Sequence, residues 1–259
     1  MPIKTRLKKR LGQHLLVDKN IIKKIISYVA EDVSNGVIEI GSGQGALSIE
    51  LAKSAKKLIC VDIDKNMCVA LADKLKSFKN TEVVCCDILK FSLSSFKKCY
   101  VLGNIPYNIT SSIIAYLIKN RNYLDGFTLM VQKEFAQRLL AEPGTKDYGA
   151  FTCFVNYFTQ PKTLFKITRG CFIPRPKVDS AIVRFAVRKK PKVFVENEEM
   201  FFKIIRTGFN QRRKTLVNSL KVLIDKAIVL DFLRNSNLPE NIRAENLQLE
   251  DFARLTSVI

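Results

Sequence analysis

The chain has a single histidine, His14, and no Cys-x-x-Cys pair among its seven cysteines. One imidazole cannot build a histidine-based metal site, and a Ser-His-Asp triad has almost nothing to work with. Cys60, Cys68, Cys85, Cys86, Cys99, Cys153 and Cys171 are odd in number and lie mostly in or beside apolar runs, where a thiol acts as a small hydrophobe. No metal is needed to explain any feature. Uninterrupted apolar runs of the ~18–20 residues that span a bilayer are missing, and no signal-peptide core follows the basic start. A cytoplasmic chain with neither membrane nor metal is expected. Acidic residues are few as well, 24 against 43 Lys and Arg, which leaves a net charge of +19 and a pI of about 9.7. That excess implies a polyanionic partner, either nucleic acid or an anionic membrane surface.

What is present is a globular chain of 259 residues, 47% apolar, long enough for one large domain and a small one. Val37-Ile38-Glu39-Ile40 reads as a short buried strand. It runs into Gly41-Ser42-Gly43-Gln44-Gly45-Ala46 and then into a helical pattern through Leu47, Leu51 and Ala52. Strand, glycine turn and helix form the first unit of a doubly wound nucleotide-binding sheet. Gly41, Gly43 and Ala46 fit the dinucleotide pattern, while Gly41, Gly43 and Gly45 fit that of S-adenosylmethionine enzymes, so the turn alone leaves both open.

Three further strands end in polar residues. The run at 57–61 leads to Asp62, about 20 positions after the turn and placed to accept ribose hydroxyls, and on to Asp64, which suits a helix cap. The run at 82–86 leads to Asp87, whose carboxylate could accept from an adenine amino group. Cys99-Tyr100-Val101-Leu102 leads to Gly103-Asn104-Ile105-Pro106-Tyr107, where Pro106 keeps Ile105 out of the helical region. An accepting amide beside an aromatic face suits a planar base carrying an exocyclic amine; an ordinary β-to-α turn is the other reading.

Farther on, a helix through Ile113 to Ile118, a strand at 127–132 and a helix at 133–140 are expected, and Phe151 to Phe158 and residues 164–167 read as further sheet. Phe172, in a proline-stiffened loop, is either an exposed second stacking wall for a base or a side chain tucked beneath the loop. A strand at 180–187 closes a first domain, 1–187. Beyond the basic linker Arg188-Lys189-Lys190-Pro191-Lys192, residues 188–259 read as helical, with helices at 222–232 and 249–255. Arg212, Arg213 and Lys214, on or beside a helix, and the basic arm at residues 4–10 are candidate phosphate contacts, the other reading being a solvated tail or face.

Several segments together resemble the ribosomal RNA adenine dimethyltransferases along essentially the whole chain, most nearly the bacterial small-subunit branch. They are Gly12-Gln13-His14-Leu15-Leu16-Val17-Asp18, the glycine turn, Asn104-Ile105-Pro106-Tyr107, Phe172-Ile173-Pro174-Arg175-Pro176-Lys177-Val178-Asp179-Ser180, Phe209-Asn210-Gln211-Arg212-Arg213-Lys214-Thr215-Leu216 and Arg243-Ala244-Glu245-Asn246-Leu247. The resemblance implies an α/β, Rossmann-like, S-adenosylmethionine-dependent methyltransferase domain with a smaller C-terminal α-helical domain. It also implies dimethylation of two adjacent adenosines near the 3′ end of 16S rRNA, with the immature small subunit as partner, and nothing in the sequence suggests more than a monomer. By position His14 and Leu16 lie near the methionine end of the cofactor, Gly41 at the turn, Asp62 on the ribose and Asp87 on the adenine. Asn104 faces cofactor and target, and Tyr107 and Phe172 stack on the extruded base. The family usually has Asn where this chain has His14 and Phe where it has Leu15, so the contact over the cofactor differs. The rivals are a nicotinamide dehydrogenase, a large-subunit methylase of the macrolide-resistance type and a non-catalytic ribosome assembly factor.

Overall fold

Short apolar runs closed by Gly, Asp or Asn build a parallel sheet. In the computed structural model, which describes residues 13–33 and 36–259, the chain opens with β1 (Leu15–Leu16), α1 (Lys19–Val29), β2 (Val37–Ile40), α2 (Ser48–Ala52), β3 (Leu58–Asp62), α3 (Lys65–Leu75) and β4 (Thr81–Cys85). Next come β5 (Cys99–Asn104), α4 (Thr110–Lys119), β6 (Leu124–Gln132), α5 (Lys133–Leu139), α6 (Ala150–Phe158), β7 (Thr159–Ile167), β8 (Phe172–Ile173) and β9 (Ser180–Val187). The helices α7 (Glu198–Phe209), α8 (Leu216–Leu220), α9 (Lys226–Asn235) and α10 (Leu249–Ser257) follow. The basic arm at residues 4–10 lies outside the described residues. No helix among the described residues is long and apolar enough to cross a membrane.

Strand order in the seven-stranded sheet is β4-β3-β2-β5-β6-β9-β7. The strands from β4 to β6 are parallel, and β9 returns antiparallel to β6. Chain order reverses between β2 and β5, and in open α/β sheets the crevice at the carboxyl ends of two such strands receives the ligand. Both strands are almost wholly buried, as their continuous apolar runs require. A separate two-stranded ribbon pairs β1 with β8, Leu15 opposite Ile173 and Leu16 opposite Phe172.

Two compact units form. One takes Met1–Ala136 and Gln160–Val187, the other Gln137–Thr159 and Arg188–Ile259. The expected division at 187/188 therefore needs correction, because the chain visits the helical unit twice. The reason is α6. Its aromatic residues suggested sheet, since aromatics favour strands, yet Phe151, Phe154 and Phe158 keep i, i+3, i+4 spacing and form a helix. Phe154 and Tyr157 of α6 meet Phe202 of α7 at ring distances of 5.6 and 5.1 Å, and Tyr157 also packs on Phe201 at 5.2 Å. Backbone bonds from Arg188 to Phe158 and from Lys192 to Tyr157 tie the second passage to the first. The helix expected at 222–232 begins later, at Lys226, where Asp225 caps it by accepting from the Ala227 amide.

One polar group stands out beneath the sheet's carboxyl edge. Glu39 of β2 is 2% exposed, and its carboxylate accepts from Ser48 Oγ at the start of α2 and from Cys60 Sγ of β3. Burial pushes its pKa up to about 7, against the pull of those hydrogen bonds.

Two outcomes are expected. The Phe201→Ala variant empties the centre of the aromatic cluster and should lose about 3–5 kcal/mol, read as a lower urea midpoint. For Glu39 the unfolded chain releases its proton near pH 4.5 and the folded chain near 7. Its contribution to stability is full below the lower value and falls as pH rises through the upper one. Glu39→Gln should flatten that decline, measured by denaturant unfolding across pH.

Candidate active site

The crevice between β2 and β5 is closed by backbone. Gly41 has φ of 72°, and a Cβ there would stand 2.7 Å from the Asn104 carbonyl oxygen. Any other residue would have to push the two strand ends apart. The glycine turn is then pinned from β3. Asp62, 8% exposed, accepts from the Gly43 amide through Oδ2 and from the Asp64 amide through Oδ1, both at 2.8 Å. Burial raises its pKa while these two amides work the other way. Each oxygen keeps a further lone pair with which to accept from a ligand hydroxyl.

Asn104, at the last position of β5, donates its Nδ2 to the His14 carbonyl at 2.9 Å. That commits the amide nitrogen to the protein and leaves Oδ1 as the acceptor. Tyr107 is fixed at its far end, where its hydroxyl shares a 2.6 Å hydrogen bond with the buried Ser180 of β9. Burial raises the phenol pKa, so the ring is neutral at ordinary pH. The His14 ring stacks on Tyr107 with centroids 5.9 Å apart and planes 22° from parallel, and His14 Nδ1 bonds the Pro174 carbonyl at 2.7 Å. Asp87 accepts from the Leu89 amide at 3.0 Å and begins a single 3-10 turn at the end of β4.

His14, Gly41, Asp62, Asp87, Asn104 and Tyr107 all line one cavity of about 270 Å3. Two carboxylates, a free amide oxygen, bare glycine backbone and an aromatic face suit a nucleoside with room for a second base. Leu16 lies elsewhere, on a neighbouring cavity of about 460 Å3 that shares Gly41 and Asn104 with the first. Leu15 covers the turn, its Cδ2 3.1 Å from where a Gly43 Cβ would be.

Phe172 is a correction. It is 2% exposed and packs in the core with Leu16, while its neighbour Ile173 faces out at 58%. Pairing of β8 with β1 turns Phe172 inward, so the exposed stacking wall expected there is absent and the tucked-under reading holds. Sequence reasoning also missed Gln13, whose Nε2 donates to Asp64 Oδ2 at 3.2 Å, and Glu39, which lines the larger cavity. A lone acid inside an apolar strand run was the available signal for Glu39; Gln13 offered none.

In the helical unit, residues 210–214 form a turn between α7 and α8 rather than part of a helix. Arg212 is engaged by the protein. It donates to Glu245 at 3.2 Å and to the carbonyls of Lys146 and Tyr148 at 2.8 and 3.1 Å. Arg213 and Lys214 are exposed. A cleft of about 730 Å3 in the same unit is lined by Arg138, Lys146, Lys203 and Arg206. No group of three or more metal-ligating side chains occurs among the described residues.

Residues 4–259 match the ribosomal RNA adenine dimethylase family. The chain is 40% identical to the ribosomal RNA small subunit methyltransferase A of Clostridioides difficile (strain 630) over 263 residues, covering 98% of this chain and 91% of that protein. Among solved structures, a dimethyladenosine transferase from Plasmodium falciparum superposes with a TM-score of 0.80 at 32% identity, over 93% of this chain and 95% of that one. The 23S rRNA methyltransferase ErmE superposes with a TM-score of 0.75 at 27% identity, over 94% and 98%. The Rossmann-like sheet, the cavity at its switch point and these matches agree: the chain belongs to the ribosomal RNA adenine dimethylase family.

Proposed function

We propose that this protein transfers methyl groups from S-adenosylmethionine to the 6-amino groups of two adjacent adenosines near the 3′ end of 16S rRNA, in the cytoplasm, acting as a monomer on immature small subunits. The observation that carries this reading is Asn104, whose amide nitrogen is tied to the His14 carbonyl while Oδ1 stays free beside Tyr107. The cavity suits the cofactor, because Gly41 presents bare backbone and two carboxylates stand on one wall. Asp62 would hold the ribose, Asp87 the adenine amino group, and His14 and Leu16 the methionine end. S-adenosylmethionine bound there supplies an electrophilic methyl group on a sulfonium.

The chain's own residues do the rest. An adenine amine is a poor nucleophile because its lone pair is delocalised into the ring. By accepting an amino hydrogen, Asn104 Oδ1 draws that lone pair out of conjugation, helped by a backbone carbonyl near Ile105 or Pro106. Tyr107 holds the extruded base by its face. Positioning and fixed dipoles supply most of the rate. The proton leaves without a strong base, since the methylated amine is acidic.

On the helical unit, Arg213 and Lys214 are assigned to RNA phosphates, with Arg138, Lys203 and Arg206 of the cleft extending the basic surface. Arg212 fits a structural task better, because its guanidinium already serves Glu245 and two carbonyls. The small-subunit relative at 40% identity against the 23S methyltransferase at 27% favours the small-subunit target.

Tritiated methyl transfer to unmodified small subunits, followed by nucleoside analysis, tests the whole reading, with dimethyladenosine near the RNA 3′ end as the expected product. Asn104→Ala should cut transfer on the order of 100- to 1,000-fold while cofactor affinity, measured by equilibrium dialysis, stays near wild type. Full activity in that variant would remove Asn104 from the mechanism. Replacing Arg213 and Lys214 together by Ala should weaken subunit binding and reduce the slope of log affinity against log salt by about 1.4 to 1.8, with cofactor affinity unaltered.

A further inference from the structure

The inner stripe of α3 is Cys68, Leu71 and Leu75, buried at i, i+3 and i+7. Leu71 and Leu75 belong to the core cluster against which Val83 of β4 packs. Side chains alternate along a strand, so Cys85, two positions after Val83, emerges on that same face, toward the first turn of α3. There it is a side-chain hydrogen-bond partner of the Cys68 thiol. Cys86 has the opposite parity and lies beside Tyr116 of α4, so it does not compete for this partner.

The pair is asymmetric, with Cys68 buried and Cys85 exposed on the edge strand of the sheet. Burial pushes the Cys68 pKa up to about 12, and the Cys85 thiol and the carboxylates Asp62 and Asp64 act the same way. Cys85 therefore meets a reagent from solution first, and Cys68 stands behind it. The two thiols also touch the wall of the cavity at the switch point. Cys68 Sγ donates to the Asp62 carbonyl at 3.4 Å, and the Cys86 amide donates to the same oxygen at 3.0 Å. Asp62 stands opposite Cys85 in the register of β3 with β4, and both Asp62 and Asp87 line the 270 Å3 cavity.

We propose that Cys68 and Cys85 form a peroxide-sensitive dithiol whose closure to a disulfide weakens cofactor binding. Its effect on the cofactor rests on the S-adenosylmethionine reading of the cavity; the bond itself does not. The Cys85 thiolate attacks the O–O bond of hydrogen peroxide, giving a sulfenic acid and a hydroxide that takes up the thiol's proton as water. The Cys68 sulfur then attacks the Cys85 sulfur and displaces a second hydroxide, which leaves with the Cys68 proton as water. Two thiols lose two electrons in all, and the peroxide is reduced to two waters. Once the S–S bond forms, Cys68 has no hydrogen to donate, and the Asp62 carbonyl keeps only the Cys86 amide. The bond also ties the start of α3 to the strand end that leads into Asp87.

The test treats the full chain with hydrogen peroxide and maps cysteine linkages by non-reducing peptide mass spectrometry. Affinity for S-adenosylmethionine is measured by equilibrium dialysis before oxidation, after it and after a dithiol reductant. Peptides joined through Cys68 and Cys85 are expected, with affinity lowered about threefold to tenfold and restored on reduction. Cys85→Ser should bind the cofactor as wild type does and keep that affinity through the same treatment. Two free thiols after treatment, Cys85 carried on to sulfinic acid without linkage, or a bond to another cysteine overturns the pair. Linkage with affinity unchanged, or an equal loss in Cys85→Ser, overturns the coupling to the cofactor wall. Reduced wild-type protein that binds no S-adenosylmethionine overturns the cofactor reading instead, and the mapped linkage then decides the dithiol by itself.

Discussion

The site depends on one close approach. At the point where strand order reverses, the backbone of Gly41 passes the Asn104 carbonyl so tightly that no side chain fits between them. This contact sets the separation of β2 and β5 at their carboxyl ends and therefore the width of the crevice. Asp62 then locks the turn through the Gly43 amide, and the His14 carbonyl locks the Asn104 side chain. Asp62 and Asn104 are each held by hydrogen bonds to backbone and Tyr107 by the Ser180 hydroxyl, which is how a site built on dipoles and orientation limits reorganisation during reaction.

Much of this was legible in the sequence for one physical reason. Strands of a parallel sheet announce themselves as apolar runs, and the residue that ends each run must lie at the same edge. Asp62, Asp87 and Asn104 could therefore be placed together without coordinates, although their spans differ by a residue or two from those observed. What stayed hidden depended on contacts between distant segments. Nothing near Phe172 reveals that Leu16, more than 150 positions earlier, pairs with it and turns it inward. The aromatic density of residues 151–158 carried a strand preference that packing against α7 overrode. Arg212 looked like a surface cation until its partners, Glu245 and the 146–148 loop, came into view.

Those partners explain why two motifs far apart in the chain belong together. Arg212 and Glu245 form an ion pair at 3.2 Å, Arg212 also holds the carbonyls of Lys146 and Tyr148, and the Glu245 carbonyl accepts from the Gly144 amide at 2.7 Å. Of the Arg-Arg-Lys run, Arg212 is engaged by the protein, while Arg213 and Lys214 are exposed. An exposed ion pair contributes little alone; here the geometry of three simultaneous acceptors matters more than the charge.

The double passage through the helical unit limits how the protein can be divided. A chain cut after Val187 would retain α6 but lose α7, leaving the aromatic face of Phe154, Tyr157 and Phe158 uncovered. A chain cut before α6 would lose β9, which pairs with β6 from Gly126 to Gln132, and with it Ser180, the anchor of Tyr107. Neither cut yields a self-sufficient catalytic half. The helical unit is built from two separate stretches of chain, so recombination that exchanges it must bring two separate stretches of gene together.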